Sequence, residues 1–325
     1  MDRRTFLRQI GLASAGLGLL RSGLLPAAST ADPWLAGFQR ARREHDWLAG
    51  WQNFDGEVLP ERALRWQGRL PRGLRGTLYR NGPARFERAG QRYRHWFDGD
   101  GLVQAWRIGD GTISHRARMV GTDKFKAEQQ AGRFLRQAAG TWIEGAEAPG
   151  NTDDINPANT SVMMLHDRLY ALWEGGSAWA LDPEALTALG PRQWRDDLAA
   201  APFSAHPLRE RDGSLWNFGL AAWAATPTLL VWRIGRDGEL ASITPVTLDM
   251  PGYLHAFAMT ERQLVFIGSP WLYDSEGEGA FFQRLRWRPQ QGSQAIVIDK
   301  DALDAPRRHA LPGGLSFQYG NAWQD

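Results

Sequence analysis

Residues 103–120 read VQAWRIGDGTISHRARMV, two stretches of strand-forming residues around a short turn. Gly109-Asp110-Gly111-Thr112 is a strong hairpin signal, because an Asp-Gly pair accepts the positive φ angles of tight turns. The same organisation recurs at residues 161–165 with 169–173, at 228–234, at 257–260 with 263–267, and at 294–298. No long helical pattern alternates with these strands. The sequence therefore predicts an all-β sandwich, barrel or propeller.

The composition fits one large all-β domain and excludes several kinds of site. The chain has 325 residues, of which 43% are hydrophobic and 23% charged, as in globular proteins. It contains no cysteine, which excludes a disulfide framework, a zinc finger, a thiolate iron–sulfur site and a cysteine nucleophile. We find no clean repeat of roughly 40–45 residues, so periodicity alone does not establish a propeller.

The first 31 residues are predicted to be a twin-arginine export signal. Arg3-Arg4 precedes an apolar run over residues 10–25, and Ser29-Thr30-Ala31 offers a cleavage site before Asp32. A basic amphipathic N-terminal arm is the alternative. The positive charge of the chain, +2 in total, lies in this leader, so no nucleic-acid partner is expected. The signal would place the domain, residues 32–325, in the periplasm.

Six segments, taken together and in this order, resemble the carotenoid cleavage oxygenases, the family that includes the stilbene-cleaving oxygenases. The most specific is HWFDGDGL at residues 95–102, where we expect Gly99 and Gly101 to adopt backbone angles closed to other residues. The other segments are GLRGTLYRNGP (73–83), RMVGTDKF (118–125), NTS with ALWEGG and LDP (159–183), FSAHP (203–207) and LHAFAMT (254–260). The resemblance covers roughly residues 68–323.

The resemblance implies a seven-bladed β-propeller with iron(II) on its axis, held by four histidines. His206 and His255 match the first two ligand positions of the family, and Glu174 matches a glutamate that hydrogen-bonds a ligating imidazole. An exposed turn glutamate ahead of Gly175-Gly176 is the alternative for Glu174. The other five histidines lack such a match and are expected to be ordinary surface or core residues.

The third ligand position departs from the family pattern. The late segment FQYGNAW, residues 317–323, places Gln318 where the family has histidine. A glutamine amide oxygen is a weaker ligand for iron(II) than imidazole. The sequence ends at Asp325, before the region where the family carries its fourth histidine and last blades. We therefore expect an incomplete propeller, and three explanations stay open: a fragment of a longer enzyme, a truncated gene product, or a stable degenerate descendant.

The family activity implied by the resemblance is iron(II)-dependent, dioxygenase-type cleavage of an alkene double bond. The expected partners are dioxygen and a hydrophobic carotenoid, apocarotenoid or stilbene, with peripheral membrane contact for substrate uptake. Trp142, Phe218 and Trp271 are candidates for the walls of a substrate tunnel, although aromatic residues more often belong to the core. Because of Gln318 and the missing region, we expect negligible activity. The alternative is a non-catalytic, propeller-derived binding protein of the periplasm.

Overall fold

The computed structural model describes residues 32–222, 224–250 and 252–324. Antiparallel strands dominate it, and they form four four-stranded sheets that follow one another along the chain. Apolar clusters fill the spaces between successive sheets, as between the blades of a β-propeller. The predicted all-β propeller fold is confirmed, whereas the count of seven blades stays a prediction.

The first two sheets come from residues 58–191. The first contains β1 (Val58–Ala63), β2 (Gly76–Arg85), β5 (Asp100–Gly109) and β6 (Thr112–Met119), in the spatial order β1-β6-β5-β2. Along the chain, a small hairpin of β3 (Glu87–Arg88) and β4 (Gln91–Arg92) separates β2 from β5. The second sheet is a meander of β7 (Ser161–Leu165), β8 (Arg168–Leu172), β9 (Trp179–Leu181) and β10 (Ala188–Pro191).

The third and fourth sheets are also meanders. The third contains β11 (Leu208–Arg209), β12 (Leu215–Ala221), β13 (Thr228–Ile234) and β14 (Leu240–Thr247). The fourth contains β15 (Ala258–Met259), β16 (Gln263–Gly268), β19 (Ser293–Asp299) and β20 (Ala302–Leu311). Between β16 and β19 the chain forms a separate hairpin of β17 (Trp271–Tyr273) and β18 (Leu285–Trp287).

Helices are short and lie outside the sheets. Among the described residues, the α-helices are α1 (Pro33–Glu44) and α2 (Asp123–Ala131); 3-10 helices cover Asp46–Trp51, Thr152–Ile155, Asp196–Leu198, Phe281–Arg284 and Pro289–Gln291. Sequence analysis missed α2, although its Thr122 N-cap, which accepts a hydrogen bond from the Phe125 amide, is a recognisable start signal. None of the helices in the described part of the chain has the length and apolar character of a membrane span.

Strand alternation explains how the sheets stack. All seven residues of β12 are buried, because both faces of the third sheet are covered. Trp232 on β13 faces the cluster shared with the second sheet, while its neighbour Val231 faces the cluster shared with the fourth. The sheets adjoin at one edge, where β2 of the first sheet lies beside the start of β7: the Asn81 amide on β2 donates to Ala158 O at 2.8 Å, and the Ser161 hydroxyl on β7 donates to Ala205 O, shortly before β11. The edge strands β2, β7 and β11 therefore define one shared edge of the stack.

Gly99 and Gly101 were expected to adopt backbone angles closed to other residues, and this expectation was wrong. Neither residue has a positive φ. Instead, a Cβ at Gly99 would lie 2.8 Å from the Phe86 ring, and a Cβ at Gly101 would lie 2.2 Å from Ala158 O. Close packing, and not an unusual backbone angle, excludes a side chain at these two positions.

Candidate metal centre

The two predicted histidine ligands lie just before the first strands of adjacent sheets. His206 precedes β11, and His255 precedes β15. Ser204 helps to hold both segments, because its hydroxyl bonds to the His206 amide at 3.3 Å and to His255 O at 3.5 Å. The amide of Asn217, on β12, fixes Ser204 by donating to its carbonyl at 2.8 Å. The shared edge of the sheets thus brings together two histidines that are far apart in sequence.

The imidazoles meet through their ε nitrogens. His206 Nε2 and His255 Nε2 are 2.8 Å apart, and the ring centroids are 4.5 Å apart in an edge-to-face arrangement. Burial, reinforced by the neighbouring His255, lowers the pKa of His206 to about 4. His206 is therefore neutral near pH 7, the protonation state in which imidazole binds a metal.

Glu174 fixes the orientation of His255. Its Oε2 is 2.7 Å from His255 Nδ1, so the carboxylate holds a proton on Nδ1 and the unprotonated Nε2 faces His206 Nε2. Glu174 does lie in a turn, the one after β8, but its side chain faces His255 and is not the exposed turn glutamate of the alternative interpretation. The turn is held by Asp153, which accepts hydrogen bonds from the Ser177 amide and hydroxyl at 2.8 and 2.7 Å.

Tyr253 is a member of the site that sequence analysis missed. Its hydroxyl donates to Glu174 Oε1 at 2.6 Å, so the carboxylate is held at both oxygens. Burial, followed by the charge of Glu174, raises the pKa of Tyr253 well above its usual value, and the hydroxyl stays a donor. The only signal in sequence is its position two residues before His255, which places both side chains on the same side of an extended segment.

The segment around Gln318 lies against the histidine pair. Gln318 Nε2 is 3.5 Å from His206 Nε2, and the ring of the neighbouring Phe317 stacks on His255 with centroids 4.0 Å apart. The structure therefore brings all four residues singled out from sequence to one place. Their roles as ligands or as partners of ligands stay predictions.

The tunnel candidates have separate environments. Phe218 is buried in the cluster between the third and fourth sheets. Trp142 is exposed. Trp271 packs edge-to-face on Tyr253 with centroids 5.5 Å apart, so it alone of the three contacts a residue of the site.

The donor set fits iron(II) in part. Two imidazoles with converging ε nitrogens suit this ion, and the remaining N–H of His255 already has its carboxylate partner. Gln318 approaches the pair through its amide nitrogen, and only its amide oxygen could bind a metal, more weakly than imidazole does. In residues 32–222, 224–250 and 252–324, no group of three or more His, Cys, Asp or Glu side chains converges on one point.

The fold and the paired imidazoles define a β-propeller protein with a candidate metal centre at the first strands of its sheets. The family described as retinal pigment epithelial membrane protein matches residues 51–325. The chain belongs to this family, that of the carotenoid cleavage oxygenases.

Individual relatives show the extent of the similarity. Apocarotenoid-15,15'-oxygenase of Synechocystis sp. is 30% identical, with 91% of this chain and 63% of the relative covered. Resveratrol cleavage oxygenase 1 of Aspergillus fumigatus is also 30% identical, with 80% of this chain and 51% of the relative covered. Cobalt-substituted Synechocystis apocarotenoid oxygenase superposes with a TM-score of 0.76 at 28% identity, covering 86% and 61% of the two chains. This chain thus spans about half to two thirds of their length.

Replacing Tyr253 by phenylalanine tests its positioning role. Loss of the hydroxyl leaves His255 as the one hydrogen-bond partner of the Glu174 carboxylate in the part of the chain that the structure describes, so the His255 ring is less firmly oriented. We expect metal affinity to fall by up to about tenfold, at the low end of the effect of outer hydrogen-bond partners. Cobalt(II) titration measures the affinity, and ¹⁵N NMR of labelled histidine reports the proton on His255 Nδ1. Tyr273→Phe, whose ring packs on Phe281, is the matched control. Equal spectra and affinities for both variants would contradict the role.

Proposed function

We propose that this chain functions in the oxidative cleavage of an alkene double bond by a non-haem iron(II) centre. The observation that carries the proposal is the convergence of two imidazoles, one of them oriented by a half-buried carboxylate. The names of the relatives, which are apocarotenoid and resveratrol oxygenases, support the reaction class and a substrate that is a carotenoid, apocarotenoid or stilbene.

In this proposal the protein holds the metal ion, orients the His255 ring and shields that ring from water. His206 and His255 hold iron(II), which when bound supplies the activation of dioxygen for cleavage of an electron-rich alkene into two carbonyl products. Glu174 keeps the proton on His255 Nδ1, and Tyr253 keeps Glu174 in place. Phe317 covers one face of His255 and excludes water from it. No side chain is required as a nucleophile.

Gln318 favours a second candidate function. With an amide at the third position, the chain would bind iron weakly and act as a non-catalytic binding protein for the same class of hydrophobic molecule. The two candidates differ in iron content. An enzyme requires about one iron per chain, whereas a binding protein needs none.

Anaerobic titration with iron(II) distinguishes these possibilities. We expect loose binding by the wild type and at least about tenfold tighter binding by Gln318→His, because a third imidazole replaces a weak oxygen donor. Gln193→His, at an exposed glutamine beside Asp196, controls for the added histidine. Tight stoichiometric binding by the wild type without a gain in Gln318→His would place Gln318 away from the metal. Absence of binding in both proteins would contradict the iron centre.

Periplasmic location by the twin-arginine route and peripheral membrane contact for substrate uptake belong to the same proposal. The leader, residues 1–31, lies outside the described residues. Its support is the order of the arginine pair, the apolar run and the cleavage site. We expect Arg3→Lys combined with Arg4→Lys to retain the protein in the cytoplasm at its unprocessed mass, as measured by fractionation and mass spectrometry. Normal processing of this double variant would refute the route.

A further inference from the structure

A groove of about 750 Å³ lies apart from the histidine pair. It is bounded by α1, by the 3-10 helix that follows, and by the segment after β4. Its walls are mainly aromatic and include Trp34, Phe38, Trp47, Trp51, Arg94 and Trp96. Nothing in the fold described above requires so many large rings at one surface.

The rings of this groove face solvent to an unusual degree. Trp34, Trp47 and Trp96 expose 52%, 67% and 49% of their surface. Trp34 and Phe38 are four residues apart on α1, so they share the helix face that lines the groove. Contiguous exposed apolar surface of this kind marks a site of interaction in soluble proteins.

The aromatic surface continues from the groove to the candidate metal centre. Trp51 contacts Trp96 at 5.3 Å between centroids, and Trp96 stacks on Phe97 at 5.3 Å with an interplanar angle of 7°. Phe97 lies 6.5 Å from Phe317, whose ring stacks on His255. A molecule bound in the groove is therefore joined to His255 by consecutive ring contacts.

The charges around the groove limit the chemistry of its ligand. Arg92 lies over the Phe38 ring at 3.4 Å, and Arg94 lies over Trp34 at 5.7 Å. Arg92 is paired with Glu87, so Arg94 is the guanidinium group of the groove that would repel a cationic ligand. A planar apolar molecule can stack on the exposed indole rings, and the exposed Arg94 can donate to an oxygen at its end.

We propose that this groove is a peripheral binding site for a planar, conjugated, apolar molecule with a hydroxyl or carboxylate end. The inference rests on the proposed function, since it assigns the groove to the same substrate class. It adds a separate site, which collects the molecule before it reaches the histidine pair.

The test uses the full 325-residue chain without metal and resveratrol as the probe, with binding measured by equilibrium dialysis. We expect saturable binding and a dissociation constant about threefold to tenfold higher in Trp34→Ala and in Trp47→Ala, because each removes a stacking partner. Trp47→Phe should retain most of the affinity, because it keeps a ring. Trp66→Ala changes a tryptophan that is 40% exposed outside the groove and should bind as the wild type does.

A second variant separates the two sites. Resveratrol binding should persist in metal-free His255→Ala, because the groove does not include this residue. Loss of binding in His255→Ala, with normal binding in the Trp34 and Trp47 variants, would overturn the groove proposal and leave the proposed function intact. Absence of saturable binding by the wild type would also overturn the groove proposal, while iron titration tests the metal centre independently. Unchanged unfolding transitions verify that the variants fold.

Discussion

Replacing Lys124 by methionine is expected to lower the free energy of unfolding by about 3–5 kcal/mol, the cost of breaking a buried ion pair. Its ammonium group bonds to Asp100 at 2.6 Å, to Glu128 at 3.0 Å and to the Tyr93 hydroxyl at 3.0 Å. Both carboxylates are fully buried, and without Lys124 only Arg88 would neutralise them. Burial alone would lower the pKa of Lys124, but these neighbours raise it well above its usual value, so the ion pair persists near pH 7.

Lys126→Met is the matched control on the same helix. Lys126 is exposed, and its pairing with Asp123 spans 3.7 Å, so we expect a change within about 0.5 kcal/mol. Urea denaturation followed by tryptophan fluorescence measures both variants. Similar transitions for the two would show that the buried network contributes little. The result bears on the site, because Asp100 follows closely after Phe97, which contacts Phe317 beside His255.

The second large effect is expected at Gly101. Alanine there should cost about 3 kcal/mol of unfolding free energy, at the upper end for overpacking, because its Cβ would lie 2.2 Å from a backbone carbonyl. That carbonyl belongs to Ala158, whose oxygen also accepts from Asn81 at 2.8 Å, so the segment cannot move without losing this bond.

Gly109→Ala provides the control within β5. No atom lies within 4 Å of a Cβ at Gly109, and its φ is not positive, so the change should be small. The same denaturation experiment compares the two alanine variants. A near-zero effect of Gly101→Ala would mean that the loop before β7 yields to the added methyl group.

Much of the fold could be predicted from sequence, because turn residues and strand alternation act between near neighbours in the chain. The hairpin of β5 and β6 turns at Asp110 and Gly111, which have φ angles of 50° and 72°, as the Asp-Gly pair indicated. By contrast, α2 was missed because it is short and few of its residues give an apolar pattern. Its stability comes from the buried contacts of Lys124 with Asp100 and of Glu128 with Arg88, which are distant in sequence.

Residues of the candidate site could be predicted only where they lie in a sequence motif of the family. His206, His255, Glu174 and Gln318 were selected by resemblance, and the structure brings them together. Composition and spacing could not have done so, since the hydrogen bond between Glu174 and His255 joins residues 81 positions apart.

By itself the sequence determined the all-β class, the main turns and the four positions to examine, because turn chemistry, strand alternation and motifs act over a few neighbouring residues. Only the tertiary structure showed that Tyr253 bonds to Glu174, that close packing requires glycine at position 101, and that an aromatic groove lies beside α1. Each of these depends on which distant segments meet when the sheets stack. Such contacts follow from packing of the whole domain, and no local pattern encodes them.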